Sequence, residues 1–331
     1  MRVSVRNALR EAMVEEMRLD RKVFLIGEEV GRYEGAYKVS KDMEREFGAT
    51  RVIDTPITEH GFTGLGVGAA LAGLRPIVEF MTFNFAMQAM DHIINSAAKI
   101  RFMSGGLLSC PIVFRGPNGI PRNVAAQHSQ CFASWFAHVP GLRVVAPYTS
   151  EQAKCLLKAA IRIDDPVIFL EHELLYSREF PFNKKLELMP LDKAIIMREG
   201  TDITLTAFSI SLDHAIKVAD ILQEKHGISA EIINLISLSP IDKSTIIESV
   251  KKTGRIMNIE EGWSVCGVGS EIISIVTANA FDYLDAEPTR ICSFDAPIPY
   301  AKNLEEAALP KIADVVRAAV LLCKGKRKQE V

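Results

Sequence analysis

The sequence predicts an α/β protein built from two doubly wound domains. Short β-branched runs alternate with helical patterns almost throughout, which is the mark of parallel βαβ units. That rhythm stops once, around 180–199, and then restarts. At 331 residues the chain also exceeds what one hydrophobic core usually organises.

In the first half, strands are expected at 23–26, 51–53, 76–80, 111–114, 142–145 and 167–170. Helical stretches are expected between them, notably 84–102 and 150–163. In the latter, Ala153, Leu156, Leu157, Ala160 and Ile161 recur at three- and four-residue steps and make one face apolar. Pro181 and Pro190 among mixed charges mark a linker at 181–199, so the first domain is 1–180. The second domain, 200–323, should carry strands at 203–208, 231–235, 255–259 and 289–293, with helices near 212–226, 242–252, 268–280 and 304–323. A basic tail, 324–331, closes the chain.

Composition narrows the function. Apolar residues make up 48% and charged residues 24%, outside the regime of disordered chains. A net charge of -2 supplies no broad positive field for nucleic acid, and the run Lys324-Gly-Lys326-Arg327-Lys328 reads as a solvated tail. The six cysteines, at 110, 131, 155, 266, 292 and 323, include no pair at the two-residue gap of zinc or redox motifs, which suits a reducing compartment. Neither an apolar signal core nor an Arg/Ser-rich leader opens the sequence, and no stretch is apolar enough for a membrane span. The expectation is a cytoplasmic bacterial protein, or a mitochondrial matrix protein whose leader has been removed.

Ligands of open parallel sheets bind beyond the carboxyl ends of the strands, so the loops there are the places to search. Three are unusual: Gly27-Glu28-Glu29, Asp54-Thr-Pro-Ile-Thr-Glu59-His60-Gly61, and Arg115-Gly-Pro-Asn-Gly119 leading to Gln127-His128-Ser129. Beyond the second lies Gly64-x-Gly66-x-x-Ala69, which imitates a dinucleotide fingerprint. That fingerprint needs its first glycine in the tight turn directly after the strand, and Gly64 lies well past it. Gly64 and Gly68 instead share a helical face and should let another helix approach closely, which makes nicotinamide binding the weaker account. No Gly-x-Ser-x-Gly elbow and no phosphate-cradling Gly-x-x-x-x-Gly-Lys-Ser/Thr is present.

Glu59 has a plain structural reading, a charge that helps a helix begin after a Thr58 cap. Its neighbourhood argues for more. Ile57, Phe62, Phe80, Met81, Phe83 and Phe85 would surround it with apolar surface, and a carboxyl group so placed has its pKa raised and can share a proton with a ligand nitrogen. His128, in a loop of Gly, Pro and polar residues, can equally be a solvated side chain or a proton carrier.

These residues carry a resemblance. The runs Gly27-Glu-Glu-Val, Gly35-Ala-Tyr-Lys-Val, Asp54-Thr-Pro-Ile-Thr-Glu-His-Gly-Phe, Arg75-Pro-Ile-Val-Glu-Phe-Met-Thr-Phe-Asn-Phe, Phe114-Arg-Gly-Pro-Asn-Gly, Ala126-Gln-His-Ser-Gln and Pro297-Ile-Pro-Tyr-Ala-Lys resemble the beta subunits of thiamine-diphosphate-dependent 2-oxo-acid dehydrogenases, above all those of pyruvate dehydrogenase. The likeness covers essentially the whole chain. It implies a transketolase-like pyrimidine-binding domain followed by a transketolase C-terminal-like domain, with branched-chain 2-oxo-acid and acetoin dehydrogenase subunits as near alternatives. A non-catalytic assembly platform is the rival from another class.

The resemblance also implies roles. Glu59 matches the glutamate that bonds the N1′ nitrogen of the thiamine pyrimidine, Phe85 the aromatic stacked on that ring, and Ile57, Met81 and Glu28 its surroundings. Met81 and its neighbours could serve equally as domain core. His128 matches a histidine near the substrate and lipoyl group, there for proton transfer or charge stabilisation during reductive acylation of lipoamide. A potassium site is implied at Ile112, Ala160, Ile161, Ile163 and Asp165, where the carbonyl-rich end of a helix suits a hard cation. Two positions depart from the pattern: Ile163 stands where a polar residue is common, and His60 where methionine is frequent. The chain has no Gly-Asp-Gly segment, the family's means of holding the diphosphate through magnesium. The implied answer is a heterotetramer of two alpha and two beta chains in which the alpha subunit brings magnesium, acting on pyruvate and passing acetyl groups to a dihydrolipoyl acetyltransferase core.

Overall fold

The computed structural model describes residues 1–324, so the expected tail 324–331 lies outside the described residues except for Lys324, which ends a helix. The chain divides into two compact units. One comprises Met1–Asn118 and Trp135–Leu191, the other Gly119–Ser134 and the chain from Asp192.

The first unit is a parallel sheet of β1 (Val23–Gly27), β2 (Val52–Asp54), β3 (Arg75–Glu79), β4 (Val113–Pro117), β5 (Arg143–Val145) and β6 (Val167–Glu171). Their order across the sheet is β5-β6-β4-β3-β1-β2. Every described pairing is parallel. From β1 the chain steps to one side for β2 and to the other for β3, so the order reverses at β1. In such sheets that reversal opens a crevice at the carboxyl ends of the strands. β1, β4 and β6 are buried along their whole length, as the continuous apolar runs of a doubly covered sheet require.

Helices α1 (Val5–Leu19) and α3 (Ser150–Arg162) pack against each other. Glu15 accepts from Lys154 at 2.7 Å and Lys158 at 2.8 Å, while Glu16 takes both a 2.8 Å and a 2.7 Å bond from Arg162. The apolar face expected on α3 is buried, and a Thr149–Gln152 capping box starts the helix.

Three expectations change. The stretch 84–102 is not one helix but a 3₁₀ turn at Ala86–Ala89, a π-helical segment at His92–Ala97 and a short α-helix at Ile100–Met103. Gly64 does allow close approach, but of a side chain, since a Cβ there would lie 2.7 Å from His92 Nε2. Gly66 faces Val78, where a Cβ would sit 2.7 Å from a methyl, and nothing lies near Gly68. The glycine helix α2 (Glu59–Leu71) is thus fitted to the sheet through Gly66, not to a helix through Gly68.

The second unit is a five-stranded sheet of β7 (Ile195–Arg198), β8 (Ile203–Ala207), β9 (Ala230–Asn234), β10 (Ile256–Trp263) and β11 (Thr289–Ser293), in the order β11-β10-β8-β9-β7. β7 is the antiparallel edge strand. It occupies part of the expected linker, where its shortness, at four residues, hid it. Helices run at Leu212–His226, Lys243–Thr253 and Val268–Ala280. The single helix expected at 304–323 is two, Lys302–Ala308 and Ile312–Lys324, parted where Pro310 cannot continue a helix.

No disulfide joins the cysteines. Cys110 and Cys155 are buried and Cys266 is exposed. Burial pushes the Cys110 and Cys292 thiols up to about 12 and that of Cys155 to about 11.

At the carboxyl edge of the first sheet, Arg115 on β4 lies between Glu79 on β3 and Glu171 on β6, all three at most 5% exposed. Its Nε donates to Glu171 Oε1 at 2.6 Å, Nη2 donates to Glu171 Oε2, and Nη1 donates to Glu79 Oε2. The Tyr176 hydroxyl donates to Glu171 Oε2 at 2.6 Å. Burial pushes the Glu79 carboxyl up despite the neighbouring guanidinium. The substitution Arg115→Met would strand two buried carboxyls, and we expect it to cost about 3–5 kcal/mol in denaturant-induced unfolding of the chain.

Candidate active site

The crevice at β1 is lined by the turns that leave β1, β2 and β3. The β1 turn is fixed from the backbone outward. A Cβ at Gly27 would lie 2.6 Å from the Glu79 carbonyl oxygen, so only glycine lets β1 and β3 end this closely. Asp54, at the end of β2, accepts from the Gly31 amide at 2.5 Å and the Arg32 amide at 3.1 Å, and the Thr55 amide donates to Gly27 O at 3.1 Å. Between these ties sits Glu28. Asp54 stands in the motif read from sequence, yet its work as a brace emerges only when β1 and β2 are side by side.

Glu59 is the first residue of α2, and Thr58 caps the helix by accepting from the Gly61 amide at 3.3 Å, as expected. The structure brings Glu28 and Glu59 together. Glu28 is 7% exposed and Glu59 3%, and the two carboxyl groups share a hydrogen bond. Two negative charges in so dry a place oppose each other, which favours the protonated form of one. Burial first, then the charge and hydrogen bond of Glu59, raise the Glu28 pKa from the ordinary 4.5 to about 7. The protonated Glu28 carboxyl therefore donates to Glu59. One oxygen of each, Glu28 Oε1 and Glu59 Oε2, is buried with no partner among the described residues. Buried polar atoms are rarely left so, and at the carboxyl ends of a parallel sheet such atoms suit a ligand's donor or acceptor.

The apolar surround is partly as expected. Phe62, Phe80 and Phe83 are buried at 2% or less, and Phe80 touches both others through its ring. Met81 and Phe85 are half-buried. Phe85 opens the 3₁₀ turn Ala86–Ala89, with its amide on Thr82 O. Ile57 does not join this apolar wall. It is 84% exposed, on the turn just before α2. His60 is paired with His92, ring centroids 4.3 Å apart.

His128 lies in the second unit, exposed, at the end of the 3₁₀ turn Ala126–His128.

Four of the five residues expected at a potassium site, Ile112, Ile161, Ile163 and Asp165, make hydrogen bonds within the chain. Arg75 Nη1 donates to the Ile161 and Ile163 carbonyls at 3.0 and 2.9 Å, and Nη2 donates to Asp164 at 2.6 Å. The Ile112 carbonyl accepts from the Val167 amide at 2.9 Å. The Asp165 carboxylate takes Arg101 and Arg143, each at 3.1 Å. The end of α3 thus seats a guanidinium on two of these carbonyls. Among the described residues, no group of three or more His, Cys, Asp or Glu side chains could hold a metal.

Comparison with known proteins bears on the fold and the family. Residues 1–178 match the family described as transketolase, pyrimidine binding domain, and residues 192–315 the transketolase, C-terminal domain. A solved structure described as a split-gene transketolase, an inactive beta4 tetramer, superposes with a TM-score of 0.81 over 98% of this chain and 100% of that one, and at 21% identity it speaks for the fold. The chain therefore belongs to the transketolase-like family of thiamine-diphosphate enzymes. Within it, the chain is 57% identical to the mitochondrial pyruvate dehydrogenase E1 component subunit beta-1 of Oryza sativa subsp. japonica, over 97% of this chain and 87% of that protein. It is 58% identical to the Rhizobium meliloti subunit beta (97% and 70% covered) and 56% identical to that of Rickettsia bellii (98% and 99% covered). It is a member of the pyruvate dehydrogenase E1 beta-subunit family. No described helix is long and apolar enough to cross a membrane.

The Glu28 carboxyl makes stability depend on pH with a definite sign. Its pKa in the folded chain lies above the unfolded value, so stability is full below 4.5 and is lost as pH rises through about 7. Replacing it by the neutral Glu28→Gln should remove that loss. The melting temperature of the purified variant chain should rise relative to wild type as pH climbs across this window, and an unchanged difference would count against the shared proton.

Proposed function

We propose that this chain is the beta half of a pyruvate dehydrogenase, using thiamine diphosphate to decarboxylate pyruvate and pass the acetyl group to the lipoamide of an acyltransferase. The observation that carries the reading is the buried carboxyl pair at the strand ends, which leaves an oxygen of Glu59 open. A carboxyl group at a helix N-terminus, in an apolar niche and with an unused oxygen, fits the N1′ nitrogen of an aminopyrimidine. Thiamine diphosphate, when bound, supplies a nucleophilic carbon and an electron sink for cleaving the carboxyl-to-carbonyl bond.

The chain's own residues would do the rest of the pyrimidine-side work. Glu59 would hold a proton at N1′, with Glu28 alongside as the group that keeps the pair singly charged. Phe85 would lie on the ring face, with Met81 beside it, and the buried Phe80–Phe83 wall would keep water from the proton. Ile57, exposed on this chain, would be covered by ligand or partner. His128 would serve as the proton carrier or charge stabiliser when the lipoyl sulfur is acylated.

The diphosphate and its magnesium would be held by a second polypeptide, because the sequence has no Gly-Asp-Gly segment. The assembly this supports is two alpha and two beta chains. The relatives' name favours pyruvate over the branched-chain 2-oxo acids and acetoin.

In the reconstituted alpha-beta enzyme, Glu59→Gln should lower thiamine-dependent decarboxylation by about 10²-fold or more, the scale of a lost acid–base group. An unimpaired variant would leave only an assembly platform. Steady-state rates with pyruvate and with 2-oxoisovalerate should favour pyruvate, and the reverse preference would assign the chain to the branched-chain enzymes.

A further inference from the structure

The segment that carries His128 is built in an unusual way. It closes on itself at the neck, where the Gly119 amide donates to the Gln130 carbonyl at 3.0 Å. Ile120, just inside the neck, is 4% exposed in an apolar cluster with Ile298, Ala308 and Leu309. Two carboxylates from elsewhere in the same unit then grip its backbone. Glu261 Oε2 accepts from the Ile120 amide at 3.0 Å, and Glu305 Oε2 accepts from the Asn123 amide at 2.8 Å. Glu305 is 4% exposed, on the helix Lys302–Ala308.

The backbone beyond the second grip is strained. Asn123 has φ 60°, and Ala125 has φ 66° with ψ -171°, a combination that belongs to glycine. Such a conformation persists only where its surroundings over-determine it. Here it leads straight to the histidine, because the Ala125 carbonyl accepts from the His128 amide at 3.3 Å and so sets the turn that presents the imidazole. The path is continuous: carboxylate to Asn123 amide, Asn123 to Ala125, Ala125 to His128.

We propose that Glu305 is a positioning residue for His128, holding the left-handed Asn123 and through it the strained Ala125 turn, so that the helix Lys302–Ala308 sets the aim of the imidazole. This rests on the acylation role given to His128 above. Misaiming a reacting group by about 1 Å costs up to ~10²-fold, while a loop that loses one of two anchors shifts without unfolding.

The test uses the reconstituted alpha-beta holoenzyme and the ratio of two rates, acetylation of an isolated lipoyl domain over pyruvate decarboxylation with ferricyanide as oxidant. Glu305→Ala should lower that ratio about tenfold. Glu305→Gln, whose amide oxygen still accepts from Asn123, should recover most of it. In a His128→Ala background, Glu305→Ala should lower the ratio no further. Equal losses in both rates, no recovery in the glutamine variant, or a full extra loss on top of His128→Ala would each overturn the proposal. A normal ratio in His128→Ala alone would instead show that the role given to the histidine is wrong.

Discussion

The Arg115 guanidinium is the constraint on which the first unit's geometry turns. It draws β3, β4 and β6 together at the edge where their loops depart, through Glu79 and Glu171. Two carboxyls and a guanidinium are expensive to dry out, and such a cluster contributes less to net stability than to the choice of one arrangement. Here the chosen arrangement is the end of β3. Glu79 aligns with Gly27 in the β1 ladder, so the same clamp fixes where β1 stops and the Glu28 turn begins. The strand ends are therefore set by charges that lie beneath the Glu28 turn.

Upon that edge sits a second electrostatic decision. Glu28 and Glu59 arrive from different strand ends, and burial together with mutual repulsion holds a proton on Glu28 up to about pH 7. One proton between two carboxyls makes each a partner for the other and leaves an oxygen free on each. Asp54 belongs to the same design from the opposite side. Bonded to the Gly31 and Arg32 amides, it holds the turn. The division of labour among three neighbouring acids follows from how wet each one is.

Much of this was legible in the sequence, for physical reasons. Parallel strands buried on both faces give continuous apolar runs, so β1, β4 and β6 announce themselves, and the loops after them are where ligands must lie. Glu59 could be singled out because its motif sets a carboxyl beside aromatic residues. The failures are equally physical. The 84–102 stretch has helical periodicity, which does not distinguish an α-helix from a π-helical segment. Ile57 looks like core by composition, but a residue on a turn is not constrained to point inward. β7 lacks the alternation of a buried strand because an edge strand has only one neighbour. The association of Gly119–Ser134 with the second unit depends on Glu261 and Glu305, more than a hundred residues away, and no local pattern encodes it. At the end of α3 the Ile161 and Ile163 carbonyls accept from Arg75, a contact between strand and helix that no local pattern signals.

The cysteines carry a practical consequence. Thiols react as thiolates, and burial keeps those of Cys110, Cys155 and Cys292 protonated far above neutrality. Cys266, on an exposed loop past β10, has no such shelter. A maleimide dye added sparingly to this polypeptide would therefore settle there first, giving a reporter on the second unit with the interior sulfurs untouched.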